Sequence, residues 1–541
     1  MILQALLPHL LLVPILLPVL TAAGLLLLGE GRRPLKGAIS ATSALLGLAT
    51  SVVLLTWVDR HGPLAYLPGN WAAPFGITVV ADRLSTLMLV LASLVGLASI
   101  LFSTARWHRA GVHFHPLAQL QLMGLAGAFL TGDLFNLFVF FEITLAASYG
   151  LVLHGSGRAR VLAGLHYVVI NLAASSLFLI GATLLYGVTG TLNLADLSLR
   201  VLEVAPQDRS LLHAAAAILA VAFLVKAAVW PLNFWLVPAY AAATPPVAGM
   251  FAILTKVGVY AVARLWTLLF SGGPSAGFGG DALLLFGLVT VFLGALGLIG
   301  ASRLAHLAGF CAVVSSGTVL AALSFGQAAL SGGALFYLFS STLTASAFFL
   351  LIDLVDRWRR AGATLDHEAP YLSPSLEKEQ RVNLDDDQEQ VVGWPFPVST
   401  ALMGLAFMAC TLLFAGLPPL SSFVAKFAML SAAVGDGTGV GLRQWLFLAV
   451  LLGSGLLTLV ALLRAGVRVF WSTTQRPGPR VRVSEGLPVL SLLSICLGLT
   501  LAAGPVMGFV SRAALALHAP DAYRQAVLSA PVVPSPPEAT R

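Results

Sequence analysis

About fourteen apolar stretches, most of them long enough to cross a bilayer, follow one another along this chain and leave little room for anything else. They run near 3–28, 37–58, 81–104, 115–132, 134–155, 161–187, 211–240, 245–269, 281–301, 304–325, 333–355, 398–434, 446–470 and 487–511. A helix rising about 1.5 Å per residue needs about 20 apolar residues to cross a hydrocarbon core about 30 Å thick. At that depth no water satisfies backbone N–H and C=O groups, so each span must pair its own, as a helix does. The expected fold class is an all-α polytopic membrane protein. Composition agrees: of 541 residues 58% are hydrophobic and only 10% charged, where a soluble domain has about a quarter charged.

The net charge of +7 reads as orientation rather than nucleic-acid binding, because the excess Lys and Arg lie in short loops. Arg32, Arg33 and Lys36, then Arg106 and Arg109, Arg158 and Arg160, Arg357, Arg359 and Arg360, and Arg476, Arg480 and Arg482 mark one set of connections. The alternate loops hold little beyond Arg60, Arg200, Arg209 and Arg443. The positive-inside rule makes the first set cytoplasmic and puts both termini outside. Residues 1–28 lack a basic start and a small-residue cleavage site, which predicts a retained first helix rather than a signal peptide. Cys311, Cys410 and Cys496 sit singly in apolar runs and read as structural thiols. No nucleotide, haem or metal motif occurs, so no cofactor and no metal is expected. The one long polar segment, from Arg357 to about Trp394, reads as a solvated linker, with a partner-docking loop as the alternative.

Against this background four charges stand inside spans: Glu142, Lys226, Lys256 and Lys426. An ionisable group at membrane depth costs at least about 2.5–3.5 kcal/mol, so such residues mark ion pathways unless a fixed partner neutralises them. One acid followed by three lysines has the pattern of a proton path. Pro231 is expected to break the seventh span one turn past Lys226; Pro245 and Pro246 mark another break, with Lys256 about eleven residues into the helix that follows; Pro418 and Pro419 interrupt the twelfth span before Lys426. Interrupted helices beside buried charges are the arrangement of a transporter's ion site. His166 and His306 are candidate relays, since imidazole titrates near neutrality. Asp133 is a third, although its place at the start of the fifth span also suits a helix N-terminal charge.

The stretches Gly132-Asp-Leu-Phe-Asn-Leu-Phe-Val-Phe-Phe-Glu142, Ala227-Ala-Val-Trp-Pro-Leu-Asn-Phe-Trp-Leu-Val-Pro238-Ala-Tyr240, Leu254-Thr-Lys-Val-Gly-Val-Tyr260 and Gly416-Leu-Pro-Pro-Leu-Ser-Ser-Phe-Val-Ala-Lys426 resemble the antiporter-like subunits of respiratory complex I and of Mrp-type (Mnh/Pha) monovalent cation/proton antiporters. Within that superfamily the wording is most similar to the D-type subunit of the Mrp antiporters. The resemblance runs from about residue 80 to 470. It implies fourteen helices with two inverted five-helix repeats, discontinuous in the seventh and twelfth spans. The implied layout is N-terminal helices over 1–110, a first repeat over 111–270 and a second over 281–470 with a cytoplasmic loop at 357–395. A last helix at 487–511 and a polar tail at 512–541 complete it. It implies proton translocation by Glu142, Lys226, Lys256 and Lys426 in exchange for Na⁺ or K⁺, with other small hydrophobic antiporter subunits as partners in a bacterial inner membrane. Two alternatives remain open: a proton-pumping subunit of complex I or a membrane hydrogenase, and a structural scaffold. Where the family often has Lys in the sixth span this chain has His166. Where the tenth usually opens acid-x-Lys-Arg it reads Arg303-Leu304-Ala305-His306.

Overall fold

The computed structural model describes residues 8–368, 397–435, 440–470 and 481–532, and these are overwhelmingly helical. Helices α1 (Val13–Leu27) and α2 (Arg33–His61) lead into a small antiparallel pair, β1 (Leu64–Tyr66) and β2 (Val79–Ala81), in the register Leu64 to Ala81. Then come α3 (Arg83–Ser103), α4 (Phe114–Leu130), α5 (Leu134–Val152), α6 (Arg158–Thr189) and the short α7 (Leu194–Glu203). The middle of the chain holds α8 (Arg209–Lys226), α9 (Leu236–Ala242), α10 (Pro245–Phe251), α11 (Leu254–Leu269), α12 (Gly280–Gly300), α13 (Leu304–Leu323) and α14 (Ala328–Glu368). The remainder is α15 (Val398–Ala415), α16 (Ser421–Val434), α17 (Leu442–Phe470), α18 (Val483–Leu501), α19 (Ala503–His518) and α20 (Asp521–Leu528). Each of the fourteen apolar stretches carries helix, and among the described residues twelve helices are long and apolar enough to cross a membrane.

The centre of the molecule is α14, which packs against α3, α10, α13, α15, α16, α18 and α19. It is buried on every side from Leu330 to Val355, and it carries Ser340, Ser341, Thr342, Thr344 and Ser346 into that interior. The outer helices do the reverse. On α2, α6 and α17, Leu45, Leu46, Leu162, Leu165, Leu452 and Leu456 lie exposed, an apolar surface that water would penalise and acyl chains accept. One ionic clasp ties the far ends together. The Asp59 carboxylate of α2 accepts from Arg83 of α3 at 2.9 Å and from Arg512 of α19 at 2.6 Å.

Several boundaries differ from the sequence expectation. The helix break near Pro231 comes at Lys226 itself rather than a turn beyond it. A proline ring collides with the carbonyl four residues back, here that of Ala227, so regular helix ends one residue earlier. Pro245 and Pro246 do not break a helix but open α10 from its first turn, where a missing N–H costs nothing. The eighth span is interrupted instead at Ala252–Ile253. Helix continues past 511 to His518, and α20 buries Tyr523 and Val527 where a polar tail was expected. Part of the long polar segment, through Glu368, is the continuation of α14; residues 369–396 lie outside the described residues, as do Arg476, Arg480 and the tail beyond 532.

Candidate functional site

Glu142 sits midway along α5, half-buried, and its Oε1 accepts a hydrogen bond from Ser175 Oγ of α6. Lys226 is the last residue of α8 and is buried. Its Nζ has no hydrogen-bond partner and lies 5.2 Å from the centroid of the Phe141 ring. The two charges therefore share a neighbourhood without forming an ion pair: Glu142 is held by a hydroxyl, and the ammonium faces the ring of the adjacent Phe141 but has no hydrogen-bond acceptor. Between α5, α6, α8 and α11 lies a cavity of about 30 Å³, lined by Phe141, Thr144, Tyr167, Asn171, Lys226 and Val257 among others. A water needs at least about 10–15 Å³ of such volume and two or more polar partners, so this space accommodates one or two.

The broken chain after Lys226 is held by side chains. Trp230 N donates to Thr290 Oγ1 of α12 at 2.9 Å, and the Trp235 indole N–H donates to the Val225 carbonyl at 3.2 Å. Gly258 of α11 lies directly against this segment; a Cβ there would come within 2.6 Å of both Ala227 N and the Phe223 carbonyl oxygen. Close approach of the two backbones is what brings Lys226 and Lys256 to neighbouring helices.

Lys256 stands in the first turn of α11 rather than eleven residues into an unbroken helix. The interruption has no proline of its own. The Tyr240 hydroxyl donates to the Phe251 carbonyl at 2.8 Å, taking an acceptor that a continuing helix would have used. Lys256 is fully buried, and its Nζ donates to Ser315 Oγ at 2.9 Å and Ser316 Oγ at 3.0 Å, both on α13. Two contacts further along fix α11. Tyr260 donates to the Phe129 carbonyl at 2.8 Å, and Arg264 pairs bidentately with the N-capping Asp82 of α3 at 2.6 and 2.7 Å.

Lys426 lies in α16, past the break at Gly416–Leu420, and folds back so that Nζ donates to the Ala415 carbonyl at 2.8 Å and that of Phe414 at 3.3 Å. It thus caps the C-terminus of α15, where unpaired carbonyls and the negative dipole end favour a cation. Gly416 has φ +75° and leaves the room for this: a Cβ on it would meet Lys426 Cδ at 2.4 Å. Pro418 and Pro419 lie in this break, as Pro231 lies in the other.

The three candidate relays do not join this set. His166 is on the exposed face of α6 with Nδ1 against the Leu162 carbonyl at 3.0 Å. Successive helical residues are turned by about 100°, so its neighbour Tyr167 and the i+4 residue Asn171 face the cavity instead. His306 is half-buried in the first turn of α13, with no partner for Nδ1, nine residues before Ser315. Ala305 beside it is half-buried. Asp133 caps α5, accepting from Asn136 N at 2.8 Å, and so serves the helix end. Sequence reasoning passed over Ser175, Ser315 and Ser316, which contact these charges, and noted Asn171 only as a neighbour of His166. For Ser175 and Asn171 a signal existed: Gly164, Tyr167, Asn171, Ala174, Ser175 and Phe178 form the buried face of α6 at helical spacing.

Residues 131–368 match the family described as NADH:quinone oxidoreductase/Mrp antiporter, TM. A probable K(+)/H(+) antiporter D-type subunit of Rhizobium meliloti (strain 1021) is 50% identical over 537 residues, 97% of this chain and 98% of the relative. The D-type subunit of the Na(+)/H(+) antiporter of Alkalihalophilus pseudofirmus is 32% identical over 96% of this chain and 99% of its own length. Among solved structures, a chain of the Mrp complex from Dietzia sp. DQ12-45-1b superposes with a TM-score of 0.82 at 28% identity, covering 96% of this chain and 99% of that one.

Proposed function

This chain belongs to the family of D-type Mrp antiporter subunits, and we propose that it conducts the protons that a multisubunit antiporter exchanges for a cytoplasmic monovalent cation, Na⁺ or K⁺. It acts as one component of a secondary transporter, beside other small hydrophobic subunits in a bacterial cell membrane, with both termini outside, and needs no cofactor. The observation that carries this reading is Lys226: a buried amine at a helix break, without a hydrogen-bond partner, facing a small cavity close to Glu142.

In this reading Glu142 and Lys226 are the switching pair. Lys226 is free of fixed acceptors, so its charge can approach Glu142 or withdraw from it. Lys256 responds to that position through space. Moving a unit charge from about 10 Å to about 5 Å changes the interaction by about 1.7 kcal/mol at an effective dielectric constant of about 20, roughly a tenfold change in proton affinity. Lys256 relays, and Lys426 gates the far end. The test is cation-driven proton flux in vesicles containing the assembled complex. Glu142→Gln keeps an acceptor for Ser175 but removes the charge, and Lys226→Ala removes the amine; both are expected to abolish flux with assembly intact. Flux at the unsubstituted level in either variant refutes the pair.

A further inference from the structure

Among the described residues no carboxylate, histidine or second lysine is in contact with the Lys256 or the Lys426 amine; their hydrogen-bond acceptors are hydroxyls and main-chain carbonyls, and the Tyr337 ring lies 5.8 Å from Lys426 Nζ. Ser315, which accepts from Lys256, shares a hydrogen bond of 2.8 Å with Ser341 of α14. The preceding residue on α14, Ser340, shares hydrogen bonds of 2.7 Å with Ser421 and 3.0 Å with Ser422, the first two residues of α16. Ser422 is one helical turn before Lys426. All of these serines are buried to 2% exposure or less. Three interhelical hydroxyl contacts, made by two adjacent residues of the central helix, thus lie toward the two buried lysines.

We propose that Ser315, Ser341, Ser340 and the Ser421–Ser422 pair form a hydroxyl relay that passes a proton between Lys256 and Lys426. The inference rests on the reading of those lysines as proton-carrying groups. A hydroxyl suits the task because it donates one hydrogen and accepts on two lone pairs, and in each serine–serine contact either oxygen can be the donor. The transfer balances without any other reactant. The Lys256 ammonium gives its proton to Ser315 Oγ as Ser315 passes its own hydrogen to Ser341. The same exchange runs from Ser340 to Ser421 or Ser422, and the proton ends on a neutral Lys426 amine. Rotation of the hydroxyls restores the starting pattern. Two links are indirect, Ser341 to Ser340 and Ser422 to Lys426, and the relay requires a rotamer change to close each.

Small polar residues also let helices pack closely, so the test must separate the hydroxyl from the volume. Threonine and valine have the same shape and differ in that group. At Ser341 and at Ser340, the →Thr and →Val variants are compared in the assembled complex by cation-driven proton flux in vesicles, normalised to complex recovered by size-exclusion chromatography. The expected result is flux retained in Ser341→Thr and Ser340→Thr. It falls in the Val variants by on the order of 10²-fold, the low end of what a positioned proton-transfer group contributes. Ser341→Ala and Ser340→Ala serve as a second pair should the larger side chains disturb packing, and are expected to lose flux likewise. Equal flux in the Thr and Val variants, or full flux in the Ala variants, overturns the relay when Lys256→Ala and Lys426→Ala are inactive. If those lysine variants are also fully active, the reading of the lysines fails, which is a different result.

Discussion

Gly258→Ala tests the geometry of the site without touching any group that carries a proton. Its added Cβ would stand 2.6 Å from Ala227 N and from the Phe223 carbonyl oxygen, where ordinary contact begins at 3.4 Å. Both are main-chain atoms and cannot rotate aside, so α11 must move away from α8 by about 0.8 Å, the difference between those distances. Two energies oppose each other. Overpacking of this kind costs about 1–3 kcal/mol, while replacing a mid-helix glycine by alanine returns about 1 kcal/mol of helix propensity. The net loss of stability is therefore small, roughly 0–2 kcal/mol. Function is more exposed, because the displacement falls between Lys226 and Lys256, and a misplacement of about 1 Å can cost on the order of 10²-fold. The expected outcome is a complex that assembles, a thermal midpoint lowered modestly, and cation-driven proton flux reduced far more than stability. Gly453→Ala in α17 and Gly498→Ala in α18, where a Cβ meets nothing within 4 Å, are the controls and should leave flux unchanged. Unaltered flux in Gly258→Ala would refute the claim that the close approach of α8 and α11 sets the lysine positions.

Arg264→Met should destabilise the protein by about 3–5 kcal/mol, since it strands the Asp82 carboxylate buried against α3, whereas Arg264→Met with Asp82→Asn should recover much of the loss; a purely additive double variant in thermal unfolding would contradict this. Gly416→Ala forces a side chain into left-handed backbone and into the methylenes of Lys426, so flux should fall and Lys426 should lose its grip on the Ala415 carbonyl; unimpaired flux counts against that packing. Burial, then the charges of Arg109 and Arg33, hold the His108 imidazole below its ordinary titration range in the connection between α3 and α4. The unfolded chain binds that proton from about pH 6.5 downward, so this contribution to stability is complete above pH 6.5 and is lost as pH falls toward the lowered native value. The thermal midpoint should accordingly drop between pH 7.5 and 5.5, and drop less in His108→Gln; parallel curves would remove His108 from the account.

The parts of this protein that were legible in its sequence are those where local chemistry violates the membrane's rules. A charge at depth is expensive wherever the helix packs, which is why Glu142, Lys226, Lys256 and Lys426 could be expected from position alone to be drawn into the bundle, where all four lie buried or half-buried. A proline removes a main-chain donor and crowds the preceding turn, which made the breaks near Pro231 and Pro418 visible, although Pro18 and Pro488 lie in the early turns of continuous helices. The break at Ala252–Ile253 was not, because it depends on the Tyr240 hydroxyl reaching the Phe251 carbonyl from another helix. The sequence could not fix the rotation of α6 about its axis, which puts His166 on the exposed face while Tyr167, one residue on, is buried. The serines around Lys256 were invisible for a plainer reason. Small hydroxyl residues are common in membrane helices as packing elements, and only the contacts between α13, α14 and α16 distinguish these from the rest.

The two broken helices use similar ingredients and treat their lysines in opposite ways. At α15 the break leaves the carbonyls of Phe414 and Ala415 open, and Lys426 takes both. At α8 each corresponding carbonyl already accepts a main-chain N–H, Phe223 O from Ala227 N at 2.8 Å, Leu224 O from Val229 N at 3.0 Å and Val225 O from Ala228 N at 3.0 Å, the last also from the Trp235 indole, and none of them holds the amine. An amine with no main-chain acceptor within its turn has only movable partners left, a water in the adjoining cavity or the Glu142 carboxylate. A fixed cap suits the end of a path, where a proton must wait; an amine denied a cap suits the place where charge must move. The difference between Lys226 and Lys426 therefore lies less in the lysines than in whether the peptide groups around each break were satisfied before the side chain arrived.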